Sequence, residues 1–300
     1  RILEKSRQVG ATVFVHAENG EILNFLRSEC VKKGQLTPHY HYVSRPPFTE
    51  AEAVRRAIYL AGQTDTPLYI AHMTCREAIA ELQKAKGTGQ RVSGETCTHY
   101  LTTTKEVLDN PDFNEAAKFV CSPALRDRED CEALWQALSD GLLTAVSSDH
   151  CGIDVAELKQ AGRNDFTQIP NGSPGAGDRL HMVWTEGVCT GKLTRQKFVD
   201  VIATQPAKIN GIYPRKGTLA VGSDADVVIF DPNYEGTVHL ADNPNGVDYN
   251  LYEGRRQSGR VETVLLRGQV VVENAKFVGR YGQGKFIPAN MYASGYENRN

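Results

Sequence analysis

Three short apolar runs in this sequence each hand over to a side chain that can ligate a metal ion. Val13-Phe14-Val15 leads into His16, Leu68-Tyr69-Ile70-Ala71 into His72, and Leu143-Thr144-Ala145-Val146-Ser147-Ser148 into Asp149-His150. Imidazole nitrogen and carboxylate oxygen are ligands of zinc and similar ions, and a catalytic site of this kind keeps one position for water. The ion acidifies that water toward a pKa near roughly 7, and a nearby carboxylate then takes its proton. His16, His72 and Asp149 are the right residue types for that chemistry. A single strand-end histidine is better explained by a hydrogen bond to a neighbouring loop. Three ligand-type residues on separate runs, all at the same end, favour a shared site.

Apolar runs of four or five residues followed by helical patterns read as buried parallel strands. Residues just past the carboxyl ends of such strands are where an α/β barrel builds its chemistry. Strand-like segments fall at 11–15, 67–71, 91–95, 118–121 and 143–147. Between them lie an amphipathic helix over 21–33, a second opened by Thr49-Glu50-Ala51-Glu52 in capping-box form and running to about Gln63, and helices over about 76–86 and 127–140. Five alternations predict a parallel α/β sheet or barrel. The glycine- and proline-rich stretch 162–177 is a long loop, and loops of that length inside a compact domain are usually functional. Helices are expected at about 178–190, 194–203 and 205–211. From Gly217 the pattern changes to strands at 225–230, 261–267 and 270–273, with a tight hairpin at Leu266-Arg267-Gly268-Gln269-Val270. Residues 282–300 read as a polar arm or tail.

The remaining candidates have blander explanations. His39 and His41 follow Pro38 in what reads as a solvated loop over 38–47, so both stay outside the site. His99 could line the pocket; His150 alternates away from Asp149, which suits a supporting role better than ligation. His181 and His239 read as surface. Cys97, Cys121 and Cys151 stand near strand ends, but a thiol nucleophile needs a base partner and a lowered pKa, and neither is visible, so buried apolar thiols are the better account. The glycines of Gly217 to Asp226 lead into a strand rather than a helix, which makes that segment a turn and not a phosphate loop.

A net charge of -2 gives no electrostatic reason to expect nucleic acid or an anionic membrane as a partner. No apolar stretch approaches the roughly 20 residues that cross a bilayer. Seven cysteines, scattered singly, argue against a disulfide framework and for a reducing, cytoplasmic setting. The start at Arg1 lacks a signal peptide and reads like the middle of a helix, as though the chain begins inside a domain.

Taken in order, His16-Ala-Glu-Asn, Tyr69-Ile-Ala-His72, Glu95-Thr-Cys-Thr-His-Tyr100, Ser122-Pro-Ala-Leu-Arg126, Ser147-Ser-Asp-His-Cys151 and Pro170-Asn-Gly172 resemble the dihydropyrimidinase/D-hydantoinase family of cyclic amidohydrolases. The segment Gly217 to Asp231 looks like the re-entry of that family's chain into its small β domain. The resemblance implies a TIM-type (β/α)8 barrel, here its C-terminal portion, beside a small β-sandwich. The corresponding division is barrel portion 1–213, sandwich segment 214–281 and arm or tail 282–300. It further implies two divalent ions, usually zinc, bridged by a carboxylated lysine and a hydroxide. His16 and His72 would hold one ion, and Asp149 would bind the other and act as general base and acid. Ser122 and Asn171 would orient a small cyclic amide through main-chain groups. A homotetramer is implied as well.

The family's H-x-H ligand pair and carboxylated lysine fall upstream of the counterpart of Arg1, and His39-x-His41 lies too late in the chain to replace them. A molecule of these 300 residues alone is therefore expected to bind metal weakly and hydrolyse nothing. Two other readings remain open. One is a non-catalytic scaffold resembling the dihydropyrimidinase-related proteins, which typically lack the ligands matching His72 and Asp149. The other is a sibling enzyme such as allantoinase or dihydroorotase, which the segments at Glu95–Tyr100 and Pro170–Gly172 fit less well.

Overall fold

The computed structural model describes residues 1–291. Four strands, β1 (Val13–Val15), β2 (Leu68–Ile70), β3 (Val92–Cys97) and β4 (Ala145–Ser147), pair in parallel in the order β1-β2-β3-β4. Phe14 stands opposite Tyr69, Ile70 opposite Gly94, and Thr96 opposite Val146. A parallel sheet needs crossover connections, and helices supply them. α1 (Ile2–Gln8) precedes β1, and the crossovers hold α2 (Gly20–Lys32), α3 (His39–Val43), α4 (Pro47–Gln63), α5 (Arg76–Gly87), α6 (Thr98–Thr102), α7 (Phe113–Ala117) and α8 (Arg128–Ser139).

Local chemistry explains several boundaries. Asn19 caps α2 by accepting from the Ile22 amide at 3.2 Å. Pro47 occupies the first turn of α4, where its missing N–H costs nothing, so this helix starts two residues before the expected Thr49. Ala53, Val54, Ile58 and Ala61 of α4 and Ala78, Ile79 and Leu82 of α5 share one core with β2 and with Leu134 and Leu138 of α8. Alanines at the α4 and α5 contact let the two helices lie close together. Gly94 is equally constrained: a Cβ there would come within 2.6 Å of the Met73 sulfur.

Two sequence expectations fail here. Residues 118–121 form no strand; they follow α7 as irregular chain, so Asp149 follows the fourth parallel strand rather than a fifth. The expected loop at 38–47 contains α3, and His41 within it is buried.

The second sheet is antiparallel, β5 (Val227–Thr237), β6 (Arg256–Leu266), β7 (Gln269–Glu273) and β8 (Lys276–Phe277), in sequence order. The expected hairpin is present: Leu266 pairs with Gln269, and Arg267 (φ 51) and Gly268 (φ 78) both take the left-handed backbone that a two-residue type I′ turn requires. The sheets meet through Trp184, whose ring lies 4.9 Å from that of Phe230, and through Thr185, whose hydroxyl donates to the Ser258 carbonyl at 3.1 Å. The Val261 amide donates to His181 Nε2 at 3.4 Å, so His181 belongs to this junction and not to the surface. His239 is exposed beside Glu253, as expected. Residues 282–291 take no regular structure, and the Asn290 amide donates to the Gly211 carbonyl at 2.7 Å. The rest of the expected arm lies outside the described residues. No described helix is long and apolar enough to cross a membrane.

Candidate metal and substrate site

Because β1 and β2 are neighbours in register, the residues just beyond their carboxyl ends are neighbours too. The rings of His16 and His72 meet edge to face with centroids 4.7 Å apart, and His16 Nδ1 lies 3.0 Å from His72 Nε2. On its other side His16 Nε2 meets Glu18 Oε2 at 3.0 Å, and the same oxygen accepts from Arg45 Nη1 at 2.6 Å. Burial by itself would raise the Glu18 carboxyl, but the His16 hydrogen bond and the Arg45 guanidinium outweigh it and hold the group down at about 2. An ionised Glu18 can only accept, so His16 Nε2 donates to it and Nδ1 is the nitrogen that faces His72. Carboxylate–histidine pairs of this kind orient metal ligands.

The donor geometry fits a divalent ion in part. Two nitrogens of one tetrahedral ion stand about 3.3 Å apart when each bond is near 2.05 Å, and this pair is already at 3.0 Å. His72 Nδ1, the atom that must carry the proton when Nε2 is a ligand, is buried without a hydrogen-bond partner. Burial and the neighbouring His16 both disfavour the imidazolium of His72, with Asp149 pulling the other way, and the net direction is downward. A neutral imidazole is the form that ligates.

Asp149 does not join the two histidines as a third ligand. Among the described residues no group of three or more His, Cys, Asp or Glu is disposed to hold a metal ion. Asp149 is exposed just past β4, near enough to act electrostatically on His72 and on Glu95. Both His72 (φ 38) and Asp149 (φ 43) take left-handed backbone, which is uncommon in residues other than glycine and concentrates at functional positions. Glu95, mostly buried, accepts from the Tyr69 hydroxyl at 2.9 Å; burial raises its carboxyl and the bonds from Ser147 and Tyr69 oppose the rise. Cys97 and Cys121 are buried thiols pushed upward by burial, Cys121 to about 11, so neither is an activated nucleophile. Buried His99 is held down at about 3 by burial, with His72 adding to the effect. His150 lies exposed and accepts from the Gly175 amide at 3.3 Å.

The Ser122 and Asn171 segments lie side by side. The Gly172 amide donates to the Val120 carbonyl at 3.0 Å, and the Cys151 amide donates to the Ser173 carbonyl at 3.0 Å. Gly172 has φ 134, and a Cβ there would stand 2.5 Å from Cys151 Cβ, so this close approach requires glycine. The loop is thus pinned between residues 117–121 and the segment just past β4, with Asn171 exposed at its turn. Around Ser122 the neighbouring carbonyls are occupied: Cys121 accepts from His41 Nε2 at 2.7 Å and Pro123 from the Tyr100 hydroxyl at 2.6 Å. Among the described residues the Ser122 carbonyl has no partner, and its buried hydroxyl has none.

Sequence reasoning missed four contributors. Glu18 carried a faint signal, a carboxylate two residues beyond a strand-end histidine. Arg45, His41 and Lys159 act across 27, 80 and up to 42 residues of chain, and nothing local marks them.

The chain matches the family model described as "Amidohydrolase family" over residues 1–271. It is 47% identical over 292 residues to a D-hydantoinase of Ralstonia pickettii, covering 97% of this chain and 64% of that protein. A D-hydantoinase of Rhizobium radiobacter matches with the same identity and coverage. The crystal structure of dihydropyrimidinase from Brevibacillus agri superposes with a TM-score of 0.96 at 43% identity, over 97% of this chain and 63% of that one. The chain therefore spans a little under two thirds of the length of these relatives.

Proposed function

Because this chain belongs to the amidohydrolase family, we propose that it supplies ligands, a proton-transfer group and a substrate-orienting edge to a hydrolase that opens cyclic amides. The substrates are dihydropyrimidines or 5-substituted hydantoins, as the names of the D-hydantoinase and dihydropyrimidinase relatives suggest. The observation that carries this reading is the His16–His72 pair, two imidazole nitrogens 3.0 Å apart at adjacent strand ends, backed by Glu18. The parallel and antiparallel sheets read as part of a TIM-type barrel over 1–213 and of a β-sandwich over 214–281. Two zinc ions, a homotetramer and a cytoplasmic setting complete the proposal.

His16 and His72 would hold one ion, and Asp149 would serve a second. A divalent cation bound there supplies Lewis acidity, making water a stronger acid and drawing charge from a carbonyl oxygen. Asp149 takes the proton that water loses as its oxygen adds to the amide carbon, and delivers it to the ring nitrogen as the carbon–nitrogen bond breaks. Its exposure at the mouth of β4 leaves it accessible to both atoms. The unpaired Ser122 carbonyl accepts from a ring N–H, and main-chain groups at Asn171 hold the opposite edge.

Initial rates on dihydrouracil, hydantoin, allantoin and dihydroorotate, measured on the protein as its own cells make it, test the reading. Ring opening of the first two is expected. Preference for allantoin or dihydroorotate assigns a sibling activity, and no turnover on any of the four with zinc present leaves the scaffold reading standing and overturns the hydrolase.

A further inference from the structure

Lys159 is the most deeply buried cation among the described residues, with none of its surface exposed. A buried ammonium normally answers a carboxylate, yet among the described residues Lys159 pairs with none. Its three protons go to main-chain oxygens: Ala117 at 2.8 Å, Val120 at 3.2 Å and Gly172 at 2.7 Å. The first two lie on the chain that runs into Ser122, and the third immediately follows Asn171. Desolvating a cation for neutral acceptors is an expensive way to fill space, since an apolar side chain of similar volume packs without that cost. Three directional donors on one atom do something an apolar residue cannot. They tie two separate segments at a common point.

We propose that Lys159 is the positioning residue that sets the Ser122 segment against the Asn171 loop, so that both present main-chain groups to one substrate at fixed spacing. This rests on the cyclic-amide reading above. Lys159 touches neither substrate nor metal ligands and acts only through the two segments. Its own place is set by the bond from its amide to the Asp154 carbonyl at 3.1 Å and by the Tyr249 ring, 6.0 Å from the ammonium. Burial pulls the ammonium down to about 8, with the Cys121 and Cys151 thiols opposing.

Lys159→Met keeps the stem and removes the donors. Backbone hydrogen exchange at 119–122 and 171–173 should quicken at least tenfold while β2 and β3 stay protected. With zinc and hydantoin, KM should rise about tenfold with kcat within about threefold, because the chemistry at Asp149 is untouched. Unchanged exchange, or loosened segments with an unchanged KM, overturns the positioning role while leaving the hydrolase intact. A wild-type protein that opens no cyclic amide sinks the hydrolase and this role with it, and the exchange arm shows separately whether the tie exists.

Should Lys159→Met fail to fold, the wild-type pH series decides. Between pH 7 and 9 burial keeps Cys121, held at about 11, and Tyr249, higher still, protonated, and it keeps His41, lowered to about 3, neutral. Cys151→Ala removes the remaining thiol. A KM that climbs several-fold through this window in both proteins supports the tie, and a flat KM overturns it.

Discussion

A histidine ligates well only when something decides which of its nitrogens carries the proton. For His16 that something is Glu18, kept ionised by Arg45. Glu18→Gln retains size and hydrogen bonding but no longer enforces the tautomer, and zinc affinity should fall about 10- to 100-fold, the usual effect of losing such a partner. Competition with a chromophoric chelator measures it, and an affinity equal to wild type would show that Glu18 serves only the fold. A second residue-scale prediction concerns His41. Burial, helped by Arg45 and only partly offset by the Cys121 carbonyl, lowers it from 6.5 to about 3. Between those values the unfolded chain binds a proton that the folded chain refuses, so stability is full above 6.5 and is lost as pH falls toward 3. Buried His99 acts in the same direction. The unfolding free energy from urea titration should therefore drop between about pH 7 and about pH 4, by a few kcal/mol in all, and His41→Asn should flatten part of that slope. A slope identical in the variant removes His41 from the account.

At the scale of elements, Glu50 shows how a local pattern can mislead. Thr49-Glu50-Ala51-Glu52 has capping-box form, yet α4 starts at Pro47, and Glu50 is buried against the next strand end. There it accepts from the Thr74 amide at 2.8 Å, from the Thr74 hydroxyl and from Arg126 at 3.1 Å, while Arg126 also donates to Thr74 and to the Arg45 carbonyl. This network joins α4, the turn after β2 and the chain before α8. Arg126→Met leaves the Glu50 charge buried and uncompensated and should cost about 3–5 kcal/mol by denaturant titration. Arg126→Met with Glu50→Gln should recover much of that loss, and a double variant no better than the single one would disprove the charge explanation. The missing strand at 118–121 has a similar cause. Lys118-Phe119-Val120-Cys121 has the composition of a strand, but its carbonyls are taken by Ser173, Lys159, Gly172 and His41. A short apolar run does not record which partners its backbone will find.

For the molecule as a whole, the junction between the sheets turns on one glycine. Gly259 has φ 76, and a Cβ there would stand 2.4 Å from the Phe230 ring and 2.8 Å from Trp184. Gly259→Ala should destabilise the protein by about 1–3 kcal/mol through backbone strain and overpacking. Trp184 fluorescence, followed during thermal unfolding, should report the loss at that junction. A variant with wild-type Tm and an unaltered emission maximum would mean that the sheets tolerate separation here.

Much of the site was legible in the sequence because the relevant signals are local. An apolar run ending in His16, His72 or Asp149 names a strand tip, Arg267-Gly268 names a hairpin, and the ordered motifs point to a family before any coordinate is known. What the sequence left undecided were the relations between tips. That His16 and His72 share a nitrogen-to-nitrogen contact follows from strand order and register. That His41 is buried, that Arg45 reaches Glu18, and that Lys159 ties two loops follow from hydrogen bonds spanning tens of residues. Helix and strand periodicities extend over a few residues and are written into the chain; a buried donor's choice of acceptor is made only when the tertiary fold removes water as the alternative.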